Sequence, residues 1–417
     1  MTIAERPTVV LRDHEAIRQA LFDPNLSRTF DARSYQEGNI RDGVVSVSHG
    51  AVHRARRRIE NSQFRADRLR LYERELFPAV LDDLLGVLID GETADVFAIG
   101  ELLSVVLAAR RAGLDIDDRD LPTLRDLVHM VDVFSQGSAI LDARDPDAVR
   151  ALVRATYDDI EARYIRPAWE RRARILDATA KGDGDGSTEE LPHDILTVLL
   201  QHRADPALEL GDDGRIVREV ATYLQGGTHT SAQTLTNAID LLFGLPDGGR
   251  ALIDRVADDL ALAQRMIHET LRLRPTTPKM KRRALAATTV GGVDIPAEAL
   301  VVLDAASANR DPTQLGPNPD AFDPDRKVAP GAARWGLSFG AGPHQCPGRS
   351  VAGGFPVGDD LATGEDHVFG LVALMLQAIL RRRPRPDATR SPERDTRTER
   401  ETRWAAYPVQ LERGAGG

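Results

Sequence analysis

Residues 339–348 read Phe339-Gly-Ala-Gly-Pro-His-Gln-Cys346-Pro-Gly348, and they hold the chain's only cysteine. Three glycines and two prolines in ten residues let a loop approach a flat ligand closely and keep one rigid backbone shape. Backbone N–H groups turned toward the sulfur would stabilise a thiolate, and the N-terminus of a following helix would add to that. A lone cysteine is otherwise a small buried hydrophobe. Here the whole loop, rather than the cysteine alone, argues for a ligand.

The rest of the chain sets bounds on that reading. It has 417 residues, 42% hydrophobic and 28% charged, an ordinary globular composition that can bury a sizeable core. The length leaves one or two domains open. The formal net charge of -10 excludes a generally phosphate-binding surface, and so a nucleic-acid partner. It leaves room for a local basic patch facing an acidic protein. One cysteine permits no intrachain disulfide, which fits a reducing compartment. The opening MTIAERPTVV has no apolar signal region, and no stretch approaches the roughly 18 apolar residues that span a bilayer. We read a soluble, cytoplasmic chain with no membrane contact.

Helical periodicity dominates the first two-thirds. It predicts helices over 69–88, 96–114 and 147–176, another from about Ile195, and a longer one over 216–243. Strand signals are few: Val9-Val-Leu11, then Thr289-Val290 and Val293-Asp-Ile295 around Gly291-Gly292, then Val301-Val-Leu303. Residues 181–187 have no apolar side chain and read as a surface loop. Residues 311–330 read as irregular coil. Residues 384–403, dense in Arg, Pro, Thr and Glu, read as an exposed, mobile tail segment.

The cysteine loop resembles the haem-binding signature of the cytochromes P450: Phe, two residues, Gly, one residue, His, one residue, Cys, one residue, Gly. A thiolate on haem iron pushes electron density toward oxygen and favours O–O cleavage. The resemblance makes Cys346 the proximal iron ligand. Phe339 would shield the sulfur, Gly340 would line the loop, His344 would pair with a haem propionate, and Gly342 and Gly348 would permit the tight turns. Further signatures follow in the same family's order. Glu269-Thr-Leu-Arg272 is similar to the Glu-x-x-Arg pair that locks to a downstream arginine, for which Arg326 stands in place. Arg282 matches a propionate partner, with Arg283 as its neighbouring alternative. His53 and Arg57, at i and i+4, match another propionate pair, while Arg54 and Arg58 read as solvated. The similarity runs from about Val9 to about Leu380.

The long helix carries Leu224-Gln-Gly-Gly-Thr-His-Thr-Ser231. Adjacent helical glycines cost about 1 kcal/mol each relative to Ala, a local violation that often marks function. The alternative is close helix packing around small residues. A widened turn here would leave room for oxygen. The resemblance assigns Thr230 the hydroxyl that holds oxygen, places Gly227 in the oxygen niche, and puts His229 where the family has a proton-delivering acid. An imidazole can relay protons near neutral pH, or it can simply fill space. Two more departures stand out. The segment Val9–Ile17 resembles one usually preceded by another helix and strand. Residues 353–366, with Gly353-Gly-Phe-Pro356, interrupt the helix expected straight after the loop.

The expected fold is mainly α with a small β region: the triangular helical prism of the cytochromes P450, as a single domain over 1–417. The resemblance implies a haem-thiolate monooxygenase using haem b (iron protoporphyrin IX). It would act on a small organic substrate in bacterial secondary metabolism, as a monomer, with electrons from a ferredoxin and its reductase. Three alternatives stay open: peroxide-driven or non-monooxygenase chemistry at the same haem, a haem carrier or sensor without turnover, and a degraded enzyme that no longer holds haem.

Overall fold

The computed structural model describes residues 6–28, 41–89, 91–140, 143–181, 190–358, 363–397 and 403–412. Most of the expected loop at 181–187 lies outside the described residues, as do 359–362 and 398–402.

A helical body surrounds α10 (Asp213–Phe243). Asp212 caps its first turn by accepting from the Gly214 N–H. The same device opens α5 (Val96–Ala112), α6 (Leu121–Ser138) and α12 (Leu260–Leu273), where Asp95, Asp120 and Asp259 accept from first-turn amides. Helix α10 buries Val217, Val220, Leu224, Leu235 and Ile239, and it packs along α5 and against α6, α12 and α16 (Leu371–Leu380). The α5 crossing is close because both sides are small. A Cβ on Gly100 would lie 3.0 Å from Ala232 Cα, and one on Gly227 would lie 3.0 Å from Ala108 Cβ. The remaining helices are α1 (His14–Phe22), α2 (Gly50–Glu60), α3 (Ala66–Leu71), α4 (Phe77–Leu88), α7 (Pro146–Ile160), α8 (Arg166–Lys181), α9 (Ile195–Gln201), α11 (Arg250–Asp258) and the short α13 (Ala305–Ala308), α14 (Pro312–Leu315) and α15 (Arg349–Ala352).

The largest sheet has the order β1-β7-β4-β2, from β1 (Thr8–Leu11), β2 (Leu26–Ser27), β4 (Lys279–Ala284) and β7 (Leu300–Asp304). Strand β1 runs parallel to β7, and β4 runs antiparallel to it with Arg282 opposite Val301. Its apolar residues form a second core with Ile17 and Leu21 of α1. Strands β5 (Thr288–Val290) and β6 (Val293–Ile295) form the expected hairpin. A third sheet joins β3 (Thr93–Asp95), β11 (Pro408–Gln410) and β8 (Arg385–Pro386), and β9 (Glu393–Arg394) pairs with β10 (Trp404–Ala406).

The described part of 384–403 is largely exposed, as expected, but it is anchored to the helical body. Asp395 is buried, and Arg397 reaches Asp132 of α6. At Asp395 ion pairing offsets the desolvation that burial costs. The expected widening of α10 is absent, since the helix is α-helical throughout and the Thr230 hydroxyl donates to the Gly226 carbonyl at 2.9 Å.

The interruption after the cysteine loop has a definite geometry. Helix α15 stops at Gly353, and α16 begins at Leu371. The two ends of the excursion touch: a Cβ on Gly370 would lie 2.4 Å from the Gly354 nitrogen. Gly354 has φ +75°, and a Cβ there would meet Gln264 Nε2 and the Val368 oxygen at 2.3 Å, so only glycine fits. The Gln264 amide donates to the carbonyls of Gly353 and Phe355, and the Glu73 carboxylate accepts from the Phe369 and Gly370 amides ahead of α16.

Candidate active site

The cysteine loop folds back on itself. The Cys346 N–H donates to the Phe339 carbonyl at 2.9 Å. Gly342 takes φ +69°, and a Cβ there would lie 2.6 Å from the Leu21 carbonyl oxygen, so this glycine is required. Gly340 also has a positive φ, +65°. Gly348 stands in the turn closed by the Arg349 N–H to the Cys346 carbonyl, without needing a positive φ. Its φ is -79°, and it stands at the N-cap of α15. Its contribution is an N–H to the sulfur. Burial pushes the Cys346 thiol up, while that N–H and the nearby Arg57, Arg28 and Arg349 charges pull it down. Phe339 packs edge-on against Trp335 with ring centroids 5.4 Å apart.

Beside the loop a set of bases converges. The His53 ring of α2 lies on His344 with centroids 3.9 Å apart. Arg57, one turn on, donates to the Gln345 carbonyl at 2.9 Å. Arg282 comes in from β4, buried. Side chains alternate along a strand, and Arg283 accordingly turns the other way to pair with Glu298 at 2.7 Å. Of the two, Arg282 is therefore the one beside His344. Burial, then the charges of Arg57 and Arg28, hold His53 down at about 4; burial, then His53, Arg28 and Arg282, hold His344 at about 2; and burial holds Arg282 down to about 10. Among the described residues no carboxylate pairs with His53, His344, Arg57 or Arg282. Buried bases without an acid are unfavourable unless an anion arrives. A flat group with two carboxylates, seated by the sulfur, supplies what they lack. The residues present therefore fit haem.

Arg54 and Arg58 are exposed, as expected. Arg56 between them was missed. It is fully buried, paired with Glu219 of α10, and lies beside the buried Glu60. Its i+4 spacing to Glu60 was the available signal.

The scaffold network forms as expected. Arg272 donates to both Glu269 oxygens at 2.7 Å, and Arg326 Nε donates to Glu269 Oε1 at 3.0 Å, all buried. The remaining guanidinium donors go to backbone carbonyls between 309 and 321.

On α10 the two glycines part company. A Cβ on Gly226 would meet nothing within 4 Å, so open space lies beside it, and Thr230, one turn on, is also exposed. Gly227, expected in the oxygen niche, is exposed too, but a Cβ there would lie 3.0 Å from Ala108 Cβ of α5, so one side of it is held by close helix packing. His229 is buried, away from Thr230's open face, between α5 and α6. Sequence reasoning missed its surroundings altogether: Glu101, Asp132 and Arg403.

The model of the Cytochrome P450 family matches residues 1–353. Cyclooctat-9-en-7-ol 5-monooxygenase of Streptomyces melanosporofaciens is 28% identical over 404 residues, covering 90% of this chain and 80% of that protein. Erythromycin C-12 hydroxylase of Saccharopolyspora erythraea is 38% identical over 165 residues, 36% of this chain and 40% of that one. Among solved structures, CalO2 superposes with TM-score 0.71 at 20% identity, covering 96% of this chain and 90% of that chain. A mutant of P450 EryK in complex with erythromycin B gives TM-score 0.68 at 24% identity, covering 98% and 92%. No helix among the described residues is long and apolar enough to cross a membrane. With the family matched over most of the chain and the base cluster in place beside the cysteine loop, the chain belongs to the cytochrome P450 family, the haem-dependent monooxygenases.

Proposed function

We propose that this chain, as a single monomeric cytoplasmic domain, binds haem b and oxidises a small organic substrate of bacterial secondary metabolism. The observation that carries the reading is the cluster of bases without a carboxylate beside Cys346. When bound, haem supplies the reductive activation of dioxygen. Cys346 would hold the iron, with the Gly348 N–H steadying the sulfur and Phe339 keeping water from it. His53, Arg57, His344 and Arg282 would hold the propionates. The positive φ of Gly340 would let the loop lie close to the haem face.

On the opposite side, the Thr230 hydroxyl would bind oxygen and pass a proton at its Oγ1. To do so it must release the Gly226 carbonyl it now bonds. His229 would relay protons to it. Electrons would come from a ferredoxin and its reductase, with exposed Arg54 and Arg58 offering charge to an acidic partner.

The carbon monoxide difference spectrum of the reduced protein tests the cysteine. A red-shifted Soret band that Cys346→Ser removes supports it, and a protein that takes up no haem overturns it. A second reading, peroxide-driven or non-monooxygenase chemistry, is favoured by His229 standing where the resemblance places an acid. Product formed with peroxide and no reductase would select that reading.

A further inference from the structure

Position 229 carries no acid, yet the fold brings carboxylates to it from two other helices. Glu101 of α5 places Oε1 3.0 Å from His229 Nδ1. Asp132 of α6 places Oδ1 4.0 Å from Nε2. Arg403 donates to Nε2 and, at 2.8 Å, to Asp132 Oδ1. Arg403 Nε lies 3.1 Å from Asp395, which also holds Arg397 at 3.0 Å. The Phe97 ring packs edge-on against the imidazole with centroids 5.7 Å apart. Beyond this array, Asp395, Arg397 and Arg403 line a cleft of about 410 Å³.

The array dictates a tautomer. A guanidinium only donates, so Nε2 facing Arg403 must accept. The neutral ring then carries its proton on Nδ1, toward Glu101. Nδ1 is buried and has no aligned hydrogen-bond partner, although the carboxylate is within 3.0 Å. Buried donors are nearly always paired, and the Glu101 carboxylate is the acceptor within reach.

We propose that Glu101 is a positioning residue for the reaction, acting through His229. It supplies from α5 the negative charge that α10 lacks and fixes the imidazole with Nδ1 protonated, while Arg403 and Asp132 hold the Nε2 side and connect it to the cleft. The proposal rests on the reading of His229 as the relay.

The test uses nitrogen-15 histidine-labelled enzyme, haem-loaded, reduced and bound to carbon monoxide, a diamagnetic state suited to NMR. His229→Gln identifies the ring signals. The parent is expected to show the Nδ1-protonated tautomer with a slowly exchanging proton. Glu101→Met should abolish that slow exchange, whereas Arg403→Met, which leaves Glu101 in place, should keep the proton on Nδ1. Should Glu101→Met fail to take up haem, Glu101→Gln serves instead: it keeps an acceptor, so the Nδ1 proton resonance should persist but shift upfield. An unchanged resonance in the folded Glu101 variants overturns the proposal. A separate measurement addresses the relay: reduced enzyme is mixed with oxygen, and the return of the oxidised spectrum is timed. His229→Gln should change that rate by about tenfold or more. No change there removes the relay reading whatever the NMR shows. A changed rate with an unaltered Glu101→Met resonance leaves the relay standing and removes Glu101.

Discussion

The imidazoles of His53 and His344 lie on each other with ring centroids 3.9 Å apart, although they come from α2 and from the cysteine loop. Burial holds both below their ordinary range, His53 at about 4. As pH falls below about 6.5, the unfolded chain takes up protons that the folded chain refuses. Stability is therefore present above about 6.5 and lost as pH falls toward 4. Unfolding midpoints of haem-free protein at pH 7 and pH 5 should separate more in the parent than in His53→Gln. Haem propionates should shrink the gap, since an anion beside the rings favours their charged form.

The carboxylate of Glu269 serves two buried guanidiniums, those of Arg272 and Arg326. Removing one member strands a buried charge, which costs about 3–5 kcal/mol. Glu269→Gln should lower the unfolding free energy extrapolated from urea titration by that amount, without a specific change in haem spectra. A variant of parental stability would show that the network is not buried in solution.

Glu60 and Glu219 share the single buried Arg56. Burial, and then Glu219, push the Glu60 carboxyl well up; burial raises Glu219 too, but Arg56 pairs closely with Glu219, so Glu60, accepting from the Tyr223 hydroxyl at 2.7 Å, is expected to be the protonated member. A neutral amide replaces a neutral acid in Glu60→Gln, which should change stability by less than about 1 kcal/mol. Glu219→Gln leaves Arg56 without its close partner and should cost about 3 kcal/mol or more. A raised acid contributes stability that is lost as pH rises through its folded value, so Glu60→Gln should flatten the alkaline side of the stability curve. Denaturant titrations from pH 5 to 9 check both expectations.

Gly226 faces open space inside α10. Alanine there adds helix propensity of about 1 kcal/mol and meets no atom of the chain. Gly226→Ala should therefore stabilise the haem-free protein. Because its methyl would enter the space beside Thr230, it should also weaken carbon monoxide binding to the reduced, haem-loaded enzyme. Unchanged carbon monoxide affinity would place that space away from the iron.

Much of this protein is local and could be read directly from its residues. The cysteine loop depends on glycines and prolines whose conformational limits are intrinsic, and the Glu269 and Arg272 spacing is set by one turn of helix. The amphipathic pattern gave most of the helical body and the β5–β6 hairpin. Helix α6 was legible from Leu124, Leu127, Val131 and Phe134 at helical spacing but went unread. Strand β4, Lys-Met-Lys-Arg-Arg-Ala, has almost no apolar alternation and is a strand because β7 pairs with it. Only tertiary packing decided which arginine of 54–58 is buried, because the helical wheel gives faces and not their neighbours. The same holds for the glycines of α10: identical in sequence, they differ because α5 lies against Gly227 and not against Gly226. The sequence put a histidine at 229. Glu101, Asp132 and Arg403 reach it from three distant segments, and electrostatic environment is a property of distance in space, which residue order does not carry.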